Sequence, residues 1–368
     1  MPKKKTAFYW NERCFWHGAG NFAFLVPVGN FVEPSNLSRL PETPESKRRF
    51  KNLIQVSGLS EEIDVISCEN KVSYQDLVRV HTKDYINEFI SLSNQNGGEL
   101  GLRAPFGPGG FDIACISASL VKEALFSVVN GYHKNSYALS RPPGHHCLSD
   151  FPNGFCLLNN IAIAVEAAIQ AKKVEKVAIV DWDVHHGNGA EQIFYDRSDV
   201  LTISVHQERN YPTDTGNIGD LGGSEAYLYN LNIPLYPGGG HIAYLYAFDE
   251  IIIPKLNKFE PDIIVVACGF DASGVDPLSR MLCGSNTFVE LTKRLMSLSD
   301  KPLILAHEGG YSDVHVPFCG HAVLETLSGS SINIKDPLAE RINSQQPDAV
   351  FDNLQFKRIK EIANLHLL

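Results

Sequence analysis

Four short segments of the sequence combine histidine, acidic side chains and glycine in patterns suited to hydrolytic chemistry. Their sequences are DWDVHHGNG at 181–189, GFDASGVDP at 269–277, RPPGHH at 141–146 and HEGGY at 307–311. Asp183 and His185 stand two residues apart, and side chains at that spacing on an extended segment point to the same side, as two ligands of one metal ion do. A hydrogen-bonded loop without a metal is the alternative interpretation.

The segment at 269–277 can supply a third ligand for such a metal. Two carboxylates and one histidine leave an open coordination position on zinc, which a catalytic site needs. The pattern therefore favours a catalytic metal centre over a structural one.

The other two segments carry groups that could act beside a metal. A Pro-Gly turn can aim both His145 and His146 into a pocket, and imidazole titrates near neutral pH, so the pair suits general base and acid roles. Metal ligation by the same two histidines is the alternative. The glycines of HEGGY permit a tight turn that presents Tyr311, whose hydroxyl could stabilise an oxyanion. An ordinary core or surface position is the alternative for this tyrosine.

The elements that must position these residues alternate along the chain. Stretches typical of β-strands lie at 136–139, 177–180, 201–205, 228–233, 262–268 and 303–306, and helical patterns lie at 159–173, 241–259 and 287–297. This alternation predicts an α/β fold with a parallel sheet and crossover helices. Nearly every strand ends in a loop rich in His, Asp or Gly, and open parallel sheets bind ligands at the carboxyl ends of their strands.

The first 130 residues are harder to order. Helix signals lie at 46–56, 73–78 and 111–130, with a capping box from Ser73 to Asp76. We expect this part to form a lid or flank on the sheet. No repeat, long linker or low-complexity tract separates it from the rest, so we predict one domain over 1–368.

Composition excludes several classes of protein. The 368 residues carry 32 Lys and Arg against 42 Asp and Glu, a net charge of -10, which disfavours a surface that binds nucleic acid directly. Apolar runs are far shorter than the ~18 residues of a membrane span, and the N-terminus lacks the apolar core of a signal peptide. We expect a cytosolic protein, or a nuclear one if the source is eukaryotic. The eight cysteines lack the spacing of a disulfide framework, and we expect Cys115, Cys156, Cys268 and Cys319 to be reduced and mostly buried.

Together, the four segments and Gly154-Phe155-Cys156 resemble, in order and spacing, the motifs of zinc-dependent histone deacetylases. The likeness spans about 40–330 and is nearest to class II enzymes and bacterial histone deacetylase-like amidohydrolases. It implies the arginase/deacetylase fold, a parallel sheet of about eight strands between helices. Carried over by position, it implies one zinc ion per chain, with the ligands Asp183, His185 and Asp271. His145 and His146 become the acid/base pair, Asp181 orients His145, and Tyr311 stabilises the oxyanion.

The resemblance also implies a structural potassium site and a substrate tunnel. The potassium site would comprise Asp181, Asp183, His185, Ser204 and Val205. A second monovalent-ion site would lie near Phe194 and Val200, where Arg197 replaces a residue that is often small. The residues expected to contact an acyl-lysine chain are Gly154, Phe155, Tyr211, Leu278 and Gly309. Tyr211 departs from the phenylalanine common at that wall.

The implied activity is hydrolysis of the acyl-lysine amide in proteins or peptides, with acetylated histone tails as one candidate partner. An acetylpolyamine amidohydrolase and an inactive module that binds acyl-lysine are the alternatives. An arginase-like enzyme with two manganese ions needs further acids two residues beyond His185 and Asp271, where this sequence has Gly187 and Ser273.

Overall fold

The computed structural model describes residues 5–35, 40–298 and 301–366, and its centre is one sheet of eight parallel strands. In chain order the strands are β1 Thr6–Trp10, β2 Asp64–Ser67, β3 Asn135–Ala138, β4 Val177–Asp181, β5 Val200–Gln207, β6 Asn230–Leu235, β7 Ile263–Cys268 and β8 Leu303–His307. Their order across the sheet is β6-β5-β4-β7-β8-β3-β1-β2. Two short antiparallel pairs, Phe22–Ala23 with Val26–Pro27 and Gly98–Glu99 with Pro105–Phe106, lie outside it.

Helices connect and cover the strands. Within the described ranges the α-helices are α1 Glu12–Phe15, α2 Glu45–Val56, α3 Leu59–Glu62, α4 Tyr74–Val80, α5 Lys83–Ser93, α6 Gly110–Val129, α7 Asn160–Gln170, α8 Asn188–Phe194, α9 His241–Ala247, α10 Ile253–Phe259, α11 Ser285–Met296, α12 Val316–Ser328, α13 Ala339–Ser344 and α14 Ala349–His366. A π-helical turn, Phe248–Ile252, joins α9 to α10, and a 3-10 turn forms at Ser224–Ala226. No helix within these ranges has the length and apolarity needed to cross a bilayer.

The central strands are Val- and Ile-rich because both of their faces are buried. Along β4, Ala178 and Val180 enter one core, while Val177 and Ile179 enter the other. Helices α2, α9, α11, α12 and α14 contribute to the first core, and α4 to α7 contribute to the second. Helices on both faces hold the sheet edge in a fixed position, so the loops that leave it start from rigid points.

Strand order brings the four sequence segments together. The segments at 141–146, 181–189, 269–277 and 307–311 follow or close β3, β4, β7 and β8. These are the four neighbouring strands β4-β7-β8-β3 at the middle of the sheet. Because all the strands are parallel, the four segments meet at one edge, as the sequence pattern predicted.

The expectation that the first 130 residues form only a lid or flank is wrong. β1 pairs with β3 and β2 pairs with β1, so this part completes the sheet. The strand β1 was not predicted because its TAFYW run is short and no regular helix or strand pattern flanks it. Its pairing with β3 joins residues about 130 positions apart. The predicted capping box is confirmed, since Ser73 and Asp76 bond each other's backbone N–H groups at the start of α4. All eight cysteines are free and buried, including the four for which the sequence predicted burial.

Candidate active site

Asp183, His185 and Asp271 converge at the carboxyl edge of β4 and β7. The Nδ1 atom of His185 lies 3.1 Å from Oδ1 of Asp183 and 3.0 Å from Oδ2 of Asp271. All three side chains are buried, and one potential ligand atom from each lies within 4.8 Å of the others. Backbone groups orient the carboxylates: Val184 N–H donates to Asp271 at 2.8 Å and Gly309 N–H donates to Asp183 at 2.8 Å.

The chemistry of this cluster fits a divalent cation. Burial and then the charge of Asp183 raise the pKa of Asp271 to about 6, because two carboxylates are held close together away from water. Burial alone would lower the pKa of His185, but Asp271 and Asp183 raise it to about 10. The space between the carboxylates therefore favours positive charge, and two carboxylates with one imidazole form a donor set that holds zinc with an open position.

Glycine keeps this space open. A side chain at Gly269 would overlap the carboxylate of Asp183, and one at Gly309 would overlap the carboxylates of Asp271 and Asp183. The two glycines therefore let the loops after β7 and β8 approach the cluster closely.

The two positions that a second metal would need carry no acid. A side chain at Gly187 would overlap the carboxylate of Asp181. Ser273 directs its hydroxyl to Nδ1 of His315 at 2.6 Å, and Nε2 of His315 lies 2.9 Å from Asp336. Ser273 is therefore engaged in a hydrogen-bond chain and supplies no carboxylate to a second cation, which disfavours the two-manganese alternative.

His145 and His146 lie side by side next to the cluster, with ring centroids 3.9 Å apart. The Nδ1 atom of His145 donates to Asp181 at 3.0 Å, the contact that the sequence resemblance implied. The Nδ1 atom of His146 lies 2.8 Å from Oδ1 of Asn188, a neutral partner. The pair therefore has one charged and one uncharged orienting group.

These partners push the two histidines in opposite directions. Burial lowers the pKa of His145, but the charges of Asp183 and Asp181 outweigh it and raise the pKa to about 10. For His146, burial and then the positive charge of His145 hold the pKa well below its usual value. At neutral pH, therefore, His145 is protonated and His146 is neutral.

A buried carboxylate that the sequence did not single out holds the histidine loop. One oxygen of Glu308 accepts the backbone N–H groups of Gly144 at 2.6 Å and His145 at 3.1 Å. Burial raises the pKa of Glu308 to about 7. Its position directly after β8 could have indicated a role in the site, since the other polar clusters also follow strands.

Arg141 holds the start of the same loop through buried hydrogen bonds. Its Nη1 donates to the backbone carbonyls of Cys14, Phe15 and His17 at 3.0, 3.1 and 2.9 Å, and its Nε and Nη2 donate to Glu42 at 3.0 and 2.9 Å. The sequence placed Arg141 in a motif but gave no sign of these partners, which are about 100 or more positions away.

A cavity of about 480 Å³ leads from the surface to His146 and His185. Four of the predicted substrate-binding residues line it, Gly154, Phe155, Tyr211 and Leu278, together with Tyr311. Gly309 is not among the described residues that line it; its N–H donates to Asp183. A side chain at Gly154 would overlap both His146 and Tyr211, so glycine there lets the backbone pack against both rings at the cavity wall.

Asp276, which the sequence did not assign a role, sets the position of two cavity residues. Its carboxylate accepts the backbone N–H of Tyr311 at 2.8 Å and that of Leu278 at 2.9 Å. The ring of Tyr311 lies 5.8 Å from that of Phe155 and 6.3 Å from that of His185, measured between centroids. Burial and then Asp271 raise the pKa of Tyr311 well above its usual value, so the phenol keeps its proton and remains a donor.

The residues predicted for potassium lie close to the cluster. Asp181, at the end of β4, is paired in register with Ser204 within β5, and Asp183 N–H donates to Asp181 at 3.0 Å. Potassium binding there stays a prediction. At the second predicted site, Arg197 forms ion pairs with Asp199 and Glu166 at 2.6 and 2.8 Å.

Comparisons with known proteins agree with this geometry. The Histone deacetylase domain family matches residues 40–327. A histone deacetylase-like amidohydrolase of Pseudomonas aeruginosa is 47% identical over 364 residues, which cover 98% of this chain and 96% of that protein. A probable deacetylase of Archaeoglobus fulgidus is 33% identical over 307 residues, which cover 81% and 85%. The crystal structure of the HDA15 HD domain matches with a TM-score of 0.84 and 27% identity, covering 98% of this chain and 96% of that one.

The chain belongs to the histone deacetylase family. Its fold is accordingly the arginase/deacetylase fold, and the eight-stranded parallel sheet is the one that the sequence implied. Membership of this family makes the protein a hydrolase of the deacetylase type.

The first prediction for this family member concerns metal content. The cluster of Asp183, His185 and Asp271 provides one donor set, and Gly187 and Ser273 provide no second one. Elemental analysis of the protein after dialysis against zinc should give about one equivalent per chain, and Asp271→Asn should lower that value. Two tightly held manganese ions per chain would contradict this prediction.

The second prediction concerns the neutral partner of His146. In Asn188→Asp, a carboxylate 2.8 Å from Nδ1 should raise the pKa of His146. A base with a raised pKa loses its proton only at higher pH, so the acidic limb of the kcat/KM profile should move upward by about one pH unit. The control Asn343→Asp adds the same charge on α13. An unmoved profile in Asn188→Asp would rule out this role for Asn188.

Proposed function

We propose that this protein is a zinc-dependent deacetylase that hydrolyses the amide of acyl-lysine in proteins or peptides, releasing acetate and free lysine. The observation that carries the proposal is the cavity. It is lined by Gly154 and Tyr211 and reaches His146 and His185, so a side chain that enters it would bring a terminal amide to these histidines. The wall residues Phe155 and Leu278 match the methylene chain of lysine.

The residues present can divide the reaction between them. Asp183, His185 and Asp271 would hold the zinc ion, whose chemistry when bound is Lewis acidity toward the amide carbonyl and a lowered pKa of water. His146, neutral and on the cavity wall, can take a proton from the attacking water and later deliver one to the amine leaving group. His145, held by Asp181, keeps its positive charge beside it.

Tyr311 completes this division. Its backbone is fixed by Asp276, and its phenol makes no hydrogen bond within the described residues. A protonated hydroxyl free of other partners can donate to the carbonyl oxygen as negative charge develops there. The presence of both histidines, the tyrosine and a complete donor set disfavours the alternative of an inactive binding module.

The acetylpolyamine alternative differs at the cavity mouth. A polyamine carries a second ammonium beyond the amide, which needs an acidic partner when it leaves water. Leu278, half-buried at the mouth, offers none, whereas a peptide backbone brings no charge to that position. The net charge of -10 favours the approach of basic protein segments at long range, acetylated histone tails among them.

The third prediction tests the role of Tyr311. Tyr311→Phe should lower kcat by roughly 100- to 1000-fold, because it removes a donor to the oxyanion and leaves the ring packing in place. Metal content measured on the same samples should stay at the wild-type value, since no donor atom of the cluster is changed. Near-normal turnover would show that a different group stabilises the oxyanion.

The fourth prediction tests the substrate class. Purified protein, with and without a chelator, should hydrolyse acetyl-lysine peptides with higher kcat/KM than acetylspermidine or acetylputrescine, and the chelator should abolish turnover. Longer acyl-lysines in the same panel report the chain length that the cavity accepts. Faster hydrolysis of an acetylpolyamine than of every peptide would overturn the proposal.

Variants at Leu278 separate charge from polarity in this test. Leu278→Glu should shift the kcat/KM ratio toward the polyamine, since it supplies an anion for the distal ammonium. Leu278→Gln has a similar size without the charge and should shift the ratio less. An equal shift in both variants would attribute selectivity to polarity at the mouth.

A further inference from the structure

Arg103 places a positive charge at the mouth of the catalytic cavity. Its side chain is exposed, it lines the same cavity as Leu278, and its guanidinium carbon lies 5.4 Å from the ring centroid of Tyr211. A guanidinium over an aromatic face is held by a cation–π contact. The contact keeps the cation beside the ring of Tyr211, and both residues line the cavity.

The backbone of Arg103 is tied to the tunnel wall. Its φ of +56° lies in the left-handed region, which an arginine adopts only where its surroundings favour it. Its carbonyl accepts the N–H of Phe155 at 2.8 Å, and the preceding Leu102 carbonyl accepts the N–H of Gly154 at 3.0 Å. The backbone of Arg103 is therefore held in a fixed position relative to Gly154 and Phe155, which the substrate chain would pass.

Within the part of the chain that the structure describes, the charge of Arg103 has no salt-bridge partner. The acidic side chain that lines the same cavity, Glu99, accepts the backbone N–H of Ala104 at 3.2 Å instead. The hydroxyl of Tyr211 is engaged by Asn153, so the ring under the guanidinium is also held in place. The five N–H donors of Arg103 consequently remain available to a group on the substrate.

We propose that Arg103 is a specificity-determining residue that favours acyl-lysines flanked by acidic side chains and disfavours those flanked by basic ones. The inference rests on the proposed function, since it presumes that acyl-lysine enters this cavity. A guanidinium binds a carboxylate through paired N–H donors and repels an ammonium. This local preference opposes the long-range attraction that the net charge of -10 exerts on basic segments.

Two consequences follow for substrates. A polyamine would bring its distal ammonium to a cavity lined by Leu278 and Arg103 as well as Glu99, so the positive charge of Arg103 opposes the binding of that class. An acetylated segment dense in lysine and arginine would be drawn toward the protein but turned over more slowly than one with an acidic residue beside the acyl-lysine.

The test uses three acetyl-lysine peptides that are identical except for the two residues flanking the acyl-lysine, which are Glu, Gln or Lys. For the wild-type holoenzyme at low salt we expect kcat/KM for the Glu-flanked peptide to exceed that for the Lys-flanked one by roughly three- to tenfold, as for an exposed charge pair. High salt should shrink this ratio, because the charges are exposed and screened.

Substitutions at Arg103 test whether this residue causes the preference for acidic flanking residues. Arg103→Gln should bring the ratio close to one, Arg103→Lys should keep most of it, and Arg103→Glu should invert it. Arg341→Gln is the matched control: Arg341 is exposed on α13 and does not line the cavity, so its loss changes the net charge equally and should leave the ratio as in the wild type. Turnover of the Gln-flanked peptide shows that each variant is folded.

The outcomes separate this inference from the proposed function. Turnover of all three peptides at equal rates, or a ratio that Arg103→Gln leaves unchanged, would overturn the role of Arg103 and leave the deacetylase proposal intact. Hydrolysis of none of the peptides, with metal bound, would contradict the proposed function and this inference together.

Discussion

The burial of two carboxylates beside one another is the constraint on which the rest of this structure depends. Asp183 and Asp271 are inaccessible to water and share the Nδ1 atom of His185. Charges held in this way are costly unless hydrogen bonds and an opposite charge compensate them. The backbone donors of Val184 and Gly309 provide part of that compensation, and both depend on loops that leave rigid strand ends. The surrounding fold serves to keep those loops in place.

A parallel sheet suits this purpose because it delivers distant parts of the chain to one edge. His145 and Tyr311 are separated by 166 positions, yet they follow β3 and β8, which are hydrogen-bonded neighbours. Each crossover helix covers a face of the sheet and so fixes the next strand end. Buried partners then refine the position of each loop, as Glu308 does for the histidine pair and Asp276 does for Tyr311. The chemistry is therefore positioned by groups that take no part in it.

The motifs that follow successive strands could be predicted from the sequence. The contacts between residues far apart in the chain could not. Motifs after β-rich runs predicted the shared sheet edge, because every parallel strand ends at the same side. The sequence indicated no role for Glu308 or Asp276, because a single carboxylate is not a recognisable motif. Their partners are backbone N–H groups, which every residue type except proline carries. The strand β1 was missed for a related reason: its pairing with β3 is a long-range contact that local propensity does not encode.

The residues at the bottom of the site and those at its mouth are held by different kinds of contact. This difference determines which of them can change when substrate specificity changes. At depth, His145 and Asp271 sit in buried hydrogen-bond networks, where replacing one member leaves others unpaired. At the mouth, Arg103 and Leu278 are exposed or half-buried, and their side chains make few polar contacts. Changes there alter which substrate is stabilised without disturbing the groups that react. Selectivity can therefore vary at small cost in stability, while the catalytic set is constrained by its own burial.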